Sequence, residues 1–385
     1  MVSEVLRKIC FPAAVAVFLF FFQYGSAAEV HRRDSVDMDF EMRGSFRAES
    51  LAKGDMSYGF RVDRFRWNVE GTVGNKVGWR FRQSFKPDSR LNTLDNILST
   101  VDYAYVRWSP SHKLSLTAGK QMLAFGGYEF QASSIYVIEF SDFWGTFGAY
   151  QAGITAGLDL GHGQELLFQV SNLKGLNDVE YYYGGFPAGL KPSSFPAICT
   201  VNWNGSFLEK KNLGFRYSAS WGSQADGRNL QVISGGQTYR NSLFGTYLDF
   251  VYSRQGLDFN SILSRSAALS GAGKVTLENA EYFSAIGYVH FFISKSFSAF
   301  AKGVLEFGGI SGKSGGILSD ICRVSQNAQA CVEYMPTKDR DTFRLFLHYN
   351  YYHASPYGDG GLALGFVPRN EHRLSLGVIF TVNVL

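Results

Sequence analysis

Charge is scarce in this chain. Asp, Glu, Lys and Arg make up 18% of its 385 residues, against roughly 25% in an ordinary soluble domain, which argues against a soluble enzyme of this size. Long apolar runs are missing too. After Phe22 no stretch approaches the ~20 consecutive apolar residues that a membrane helix requires, so a helical bundle in lipid is excluded. Cysteine is limited to four residues, and neither Cys322 nor Cys331 has a His or Cys at ligand spacing, which removes a zinc site and leaves no metal or other cofactor to expect. The net charge of +4 is small and no basic run is interleaved with aromatics, so nucleic acid is not an expected partner.

What the chain does have is aromatic and glycine residues: 34 Phe, 21 Tyr and 42 Gly. The amino-terminal end carries Arg7 and Lys8, then the apolar run ICFPAAVAVFLFFF over residues 9–22, then small residues closing at Ser26-Ala27-Ala28. That layout predicts a secretory signal peptide over residues 1–28. Cys10 stands at the start of the apolar run rather than after it, which argues against a lipid anchor. An exported, aromatic-rich chain without membrane helices satisfies its backbone in lipid only as a closed β-barrel. Residues 29–385 are therefore expected to form one all-β domain, a transmembrane antiparallel barrel, embedded in outer-membrane lipid.

The periodicity supports this. Met38, Phe40, Met42 and Phe46 alternate with Asp37, Asp39, Glu41, Arg43, Ser45 and Arg47, an apolar face for lipid and a charged face for water. The next run sets Phe65, Trp67, Val69 and Val73 against Arg64, Arg66, Asn68 and Glu70, with a change of phase between Val62 and Phe65 that predicts a bulge. Gly74-Asn75-Lys76 then turns into Val77, Trp79, Phe81, Gln83 and Phe85, opposite Arg80, Arg82, Ser84 and Lys86. Glycine and asparagine between two alternating runs are a hairpin signal. Further strands are expected to meet at 109–113, 161–163, 209–212, 254–256, 293–296 and 336–341. Longer polar segments fall at 87–100, 121–147, 173–197, 222–241, 266–278, 308–327 and 355–371. Short turns at one end and long loops at the other are the asymmetry of an outer-membrane barrel, and the count comes to sixteen, including a strand near 328–335. An exported β-sandwich or propeller would also alternate. However, the last run, Leu374, Leu376, Val378, Phe380, Val382 and Val384, carries none of the charge or proline that blunts a soluble edge strand.

Three neighbouring strands place Arg43, Arg47, Arg64, Arg66, Arg80, Arg82 and Lys86 on the inward face, and Arg216, Lys302 and Arg344 fall on polar faces farther along. Such a wall raises the local concentration of small anions; its plainer role is lumen solvation, partly neutralised by Asp37, Asp39, Glu41 and Glu70. The segment 121–147 contains Glu129, Glu139 and Asp142 and no basic residue. Folded inward, it would set these acids against the arginines across a constriction. Export and proximity in sequence predict that Cys322 and Cys331 close a small external loop, worth about 2–3 kcal/mol in the chain-entropy account, with Cys199 left over. The seven histidines are scattered, and His348 is expected in the lumen beside Arg344 and Asn350. Nothing here assembles catalysis, so a channel for small polar or anionic solutes is the expected function. A barrel hydrolase and a structural or adhesive barrel with a blocked lumen are the alternatives, and conductance separates them.

RFRWNVEGTVGNKVGWRFRQSF at 64–85, VDYAYVRWSP at 101–110 and LSLTAGKQMLAFGGYEF at 114–130 resemble the phosphate-selective porin O/P family. Gly119, Lys120, Phe125, Gly126 and Glu129 carry the last of these likenesses. The resemblance implies a trimeric, sixteen-stranded outer-membrane porin whose selectivity comes from basic residues at the constriction. In this chain the constriction segment carries only acids, so its own residues predict a weakly selective pore without a high-affinity phosphate site.

Overall fold

In the computed structural model of the protein, the described residues are 34–50, 55–85, 100–173, 182–207, 212–268, 273–311, 320–338 and 342–384. The signal peptide expected at 1–28 and the pore residue Lys86 lie outside them. Sixteen antiparallel strands close into a barrel in sequence order. The first five are β1 (Ser35–Ser50), β2 (Met56–Val73), β3 (Val77–Phe85), β4 (Val101–Ser111) and β5 (Leu114–Met122). Then come β6 (Tyr150–Gly161), β7 (Gln164–Asn172), β8 (Ala197–Ser206), β9 (Leu213–Ala225), β10 (Arg228–Arg240) and β11 (Phe244–Leu257). The ring is completed by β12 (Glu278–Phe291), β13 (Phe297–Ile310), β14 (Ile321–Tyr334), β15 (Phe343–Pro356) and β16 (Arg369–Asn383). β16 returns to β1, pairing Asp39 with Asn383 and Glu49 with Arg373, so no edge strand is left.

Alternation explains which way each side chain points. Phe60, Val62, Phe65, Leu248, Phe250, Leu374 and Leu376 are exposed on the outside of the barrel, a surface that water would penalise and lipid accepts. Their neighbours in sequence point inward and are polar. The predicted change of phase is a bulge: Arg43 pairs with Arg64 but Gly44 pairs with Val62, which leaves Asp63 as the extra residue. The bulge turns the Asp63 carboxylate inward, where it accepts from Ser45 Oγ at 2.7 Å and Arg47 Nη2 at 3.2 Å.

Short turns such as 74–76, 162–163 and 241–243 occupy one end of the barrel, and the long connections 123–149, 258–277 and 357–368 the other. The strand number agrees with the sequence reading, although two of its parts were exchanged. Residues 228–240, expected inside a loop at 222–241, form β10; the real turn is Asp226-Gly227. The turn expected at 254–256 does not exist, because β11 runs through it to Leu257. The apolar residues beyond it belong to a short helix, α3 (Ile262–Ala267), that packs inside the barrel. Similarly, residues 308–310 and 321–327 of the loop expected over 308–327 belong to strands, since β13 runs to Ile310 and β14 begins at Ile321.

The predicted Cys322–Cys331 bridge is corrected by this register. Both thiols are free and buried. They lie on the same strand, β14, where a rise of about 3.3 Å per residue holds them near opposite ends, far beyond the ~7 Å between Cα atoms that a disulfide tolerates. Cys331 instead packs with Ile135, Phe300, Phe346 and Ile379.

Candidate functional site

The connection between β5 and β6 enters the barrel. It is closed at its base by Leu123 N donating to Ala149 O at 2.9 Å, and it crosses to touch nearly every side of the wall. Gly126-Gly127 make the first crossing possible. A Cβ on Gly126 would stand 2.5 Å from Ser234 O, and Gly127 adopts φ +89°, so both positions require glycine. Gly126 N donates to Ser218 Oγ at 2.7 Å.

Two short helices follow, α1 (Tyr128–Gln131) and α2 (Asp142–Thr146). The first turn of a helix leaves backbone donors without partners, and here a carboxylate from the wall supplies one for each. Asp249 of β11 accepts from Tyr128 N and Glu129 N, both at 2.7 Å. Glu306 of β13 accepts from Asp142 N at 2.9 Å and Phe143 N at 3.0 Å. Beneath them, Phe125, Phe130, Phe143, Trp144 and Phe147 pack on Leu230, Val232, Val251 and Ile286. Those strands carry inward apolar residues because they face this loop rather than water. Tyr128, half-enclosed by the same packing, has its hydroxyl pKa pushed up by burial to about 12.

The loop acids meet wall cations one by one. Glu129, fully buried, lies 2.6 Å from Lys302 Nζ. Glu139 is bound by Arg373 at 2.7 Å and Arg47 at 3.6 Å. Asp142 is bound by Arg323 at 2.5 Å and accepts from Tyr352 Oη at 2.7 Å. The acids were expected to oppose the arginines across an opening; here each is joined to a cation, so their charges do not stand alone at the constriction.

The other basic residues divide into three uses. Arg43 and Arg66 hold the loop: Arg43 Nη1 donates to the carbonyls of Ile135 at 3.0 Å and Val137 at 2.9 Å, and Arg66 donates to Ser133 Oγ and Ser134 Oγ while pairing with Glu41. Arg80, Arg82 and Arg344 are paired with acids on the wall, at 3.2 Å from Glu70, Asp102 and Glu333 respectively. Arg80 and Arg82 also flank the ring of Tyr103, 4.6 and 4.4 Å from its centre, close enough for cation–π attraction. Arg64 and Arg216 differ from all of these, since neither has a hydrogen bond or salt bridge among the described residues, and Arg216 Nε is buried without a partner.

Sequence reasoning missed Arg323, Arg373, Asp249 and Glu306. Arg323 lay inside a segment read as a loop. Arg373 sits on the inward face of β16, which the alternation of the last strand would have indicated. The two acids carry no local signal, because their partners are the amides of a loop far away in sequence. His348 is enclosed, with Nε2 3.3 Å from Gln329 Oε1.

Comparison with known proteins completes this picture. The family described as phosphate-selective porin O and P matches residues 36–375. No curated protein matches the chain. Among solved structures, the chain is similar in fold to an anion-selective porin from Comamonas acidovorans, with 10% identity, 91% of this chain and 100% of that one covered, and a TM-score of 0.58. It is similar to OmpF of Salmonella typhi, solved with daunomycin, at 12% identity, 91% and 100% coverage and a TM-score of 0.59. A trimer form of OmpT, an outer-membrane protein of Vibrio cholerae, aligns at 11% identity, 91% and 99% coverage and a TM-score of 0.55.

Proposed function

The chain belongs to the phosphate-selective porin O and P family, an outer-membrane channel in the bacterial envelope, and on that premise we propose that it conducts small polar solutes by passive diffusion with a preference for anions, phosphate among them. One observation carries the preference. The three acids of the inserted loop are each joined to a wall cation, whereas Arg64 and Arg216 are joined to no carboxylate among the described residues. Charge close to a narrow aqueous path acts through little screening water, so unpaired arginines favour chloride and oxyanions over potassium. The acidic composition of the loop, read alone, predicts a weakly selective pore; the pairing of its acids with wall cations supports an anion-favouring one instead.

A diffusion channel fits better than an enzyme. His348, expected in the lumen, is fully buried with Nε2 against the Gln329 amide oxygen, out of reach of a solute in the channel. Three copies per assembly are the further reading, supported by the trimer form of a structurally similar protein, with the exposed apolar outer face meeting lipid elsewhere.

Planar-bilayer recording under a potassium chloride gradient tests this. The reversal potential should favour chloride, and replacing Arg64 and Arg216 together with Gln should move it toward cations. A cation-selective unmodified channel would refute the anion preference, and a refolded barrel with no conductance would refute the channel.

A further inference from the structure

At the long-loop end a cavity of about 200 Å³ lies between α2, α3, the wall of β14 and β15, and the segment entering β16. Three arginines from three different parts of the chain line it: Arg265 of α3, Arg323 of β14 and Arg369 of β16. Only Arg323 is committed deeply, to Asp142 and to Tyr352, whose hydroxyl accepts from it at 2.5 Å. Arg369 pairs with Glu371 but remains 53% exposed, and its guanidinium carbon lies 5.6 Å from the centre of the Tyr352 ring. Arg265 has no carboxylate partner among the described residues; it rests 5.4 Å from the ring centre of Tyr183. The lining therefore sets three arginines against one carboxylate, Asp142, with Glu371 pairing Arg369 from outside it. Ile262, Phe366 and Val367 make one side apolar.

We propose that this cavity binds a small organic anion, one carboxylate or phosphate-monoester head on a compact apolar body. Guanidinium groups bind such heads through charge-assisted, often paired hydrogen bonds. The apolar side decides against bare inorganic phosphate, whose oxygens would face Ile262 and Phe366 without donors, a costly loss of hydration. Size agrees: a cavity of roughly 150 Å³ accommodates benzene, so this one holds a benzene ring with its carboxylate. The proposal rests on the channel reading for its meaning, since a solute held here waits beside the inserted loop that narrows the barrel. It does not rest on the assignment of Arg64 and Arg216.

Benzoate is the probe and benzyl alcohol its neutral control. Added to each side of a bilayer in turn, benzoate should reduce the current from the long-loop side only, and benzyl alcohol from neither. Removing two charge-assisted contacts with Arg265→Gln and Arg369→Gln should raise the half-blocking concentration about tenfold or more. Glu371→Gln, which frees Arg369 from a solvent-exposed pair, should lower it roughly twofold, an opposite shift that a misfolded variant cannot mimic. Equal block by benzyl alcohol, unchanged block in the double variant, or inorganic phosphate competing as tightly as benzoate would overturn the site. Calorimetric titration of benzoate into detergent-folded protein reads the same binding without current. Lost conductance with retained uptake therefore fails the channel and not the site, and absent uptake fails the site.

Discussion

Lys302 on β13 and Glu129 on the inserted loop stand 2.6 Å apart, both nearly inaccessible to solvent, across 173 residues of sequence. The Lys302 ammonium also donates to the Glu139 carbonyl, so one side chain fixes the loop at both ends of its turn. Ser141 adds donors to the same carboxylate, its hydroxyl at 2.6 Å.

Replacing Lys302 with Met should release the loop. The substitution leaves Glu129 charged and buried without its partner, which costs about 3–5 kcal/mol. Single-channel records are expected to show a larger and noisier unit conductance. The double variant with Glu129→Gln should recover part of the quiet state, because it no longer buries an unpaired charge.

Gly126→Val should unseat the same loop by a steric route. Its Cβ would meet the Ser234 carbonyl at 2.5 Å and the Arg216 carbonyl at 3.1 Å, both backbone atoms of the wall that cannot yield. Limited proteolysis is the check: cleavage within 123–149 is expected in the variant and resistance in the parent, with the barrel itself intact.

Cys322 and Cys331 should remain unlinked in the exported protein. Peptide mapping without reductant is expected to find both thiols free. A maleimide should label them only after denaturation, since each is 3% exposed or less.

The segment 258–267 should loosen as pH rises. Burial pushes the Asp258 carboxyl above its ordinary pKa, and donors from Tyr282 and Ser264 pull it back only in part. A raised folded-state pKa favours the docked segment while the group is protonated. That contribution is complete below the ordinary Asp value of about 3.9 and is lost as pH climbs through the raised one. The protection factors of these amides, exchange rates corrected for the intrinsic rate at each pH, should thus be lower at pH 8 than at pH 5, and Asp258→Asn should flatten the difference.

The outward face of the barrel was legible because lipid imposes a period of two on it. Between Met38 and Phe85, outward residues such as Phe40, Phe46, Phe65, Trp67 and Trp79, and a bulge between Val62 and Phe65, could be read directly, whereas Tyr58 and Phe60 at the start of β2 were not. Legibility failed where the inner face stopped being wet. On β10, Leu230 and Val232 face a protein-filled interior while Gln231 and Gln237 are exposed on the outer face, so the polar and apolar phases are mixed and the alternation vanishes. Beyond Leu257 the reverse happened: Phe259, Ile262 and Leu263 looked like strand residues because they are buried, but they are buried under the loop. The pairings of Glu129, Glu139 and Asp142 were invisible for the same reason. Composition gives a loop's charge, while its partners depend on where the wall brings Lys302, Arg373 and Arg323.

The closure of β16 onto β1 has a consequence for how the molecule is made. Arg373 Nε meets Glu49 at 2.9 Å across 324 residues, and no shorter-range contact can substitute for that seam. Closing so long a loop is entropically expensive and contacts of this separation form slowly. Throughout assembly, then, the first strand must wait with its backbone donors unpaired until the last one arrives. An open intermediate of this kind cannot rest in hydrocarbon, where every unmet amide is penalised. Entry into the membrane and joining of the two ends are therefore one event, and a chain lacking β16 should accumulate outside the bilayer rather than as a smaller barrel within it.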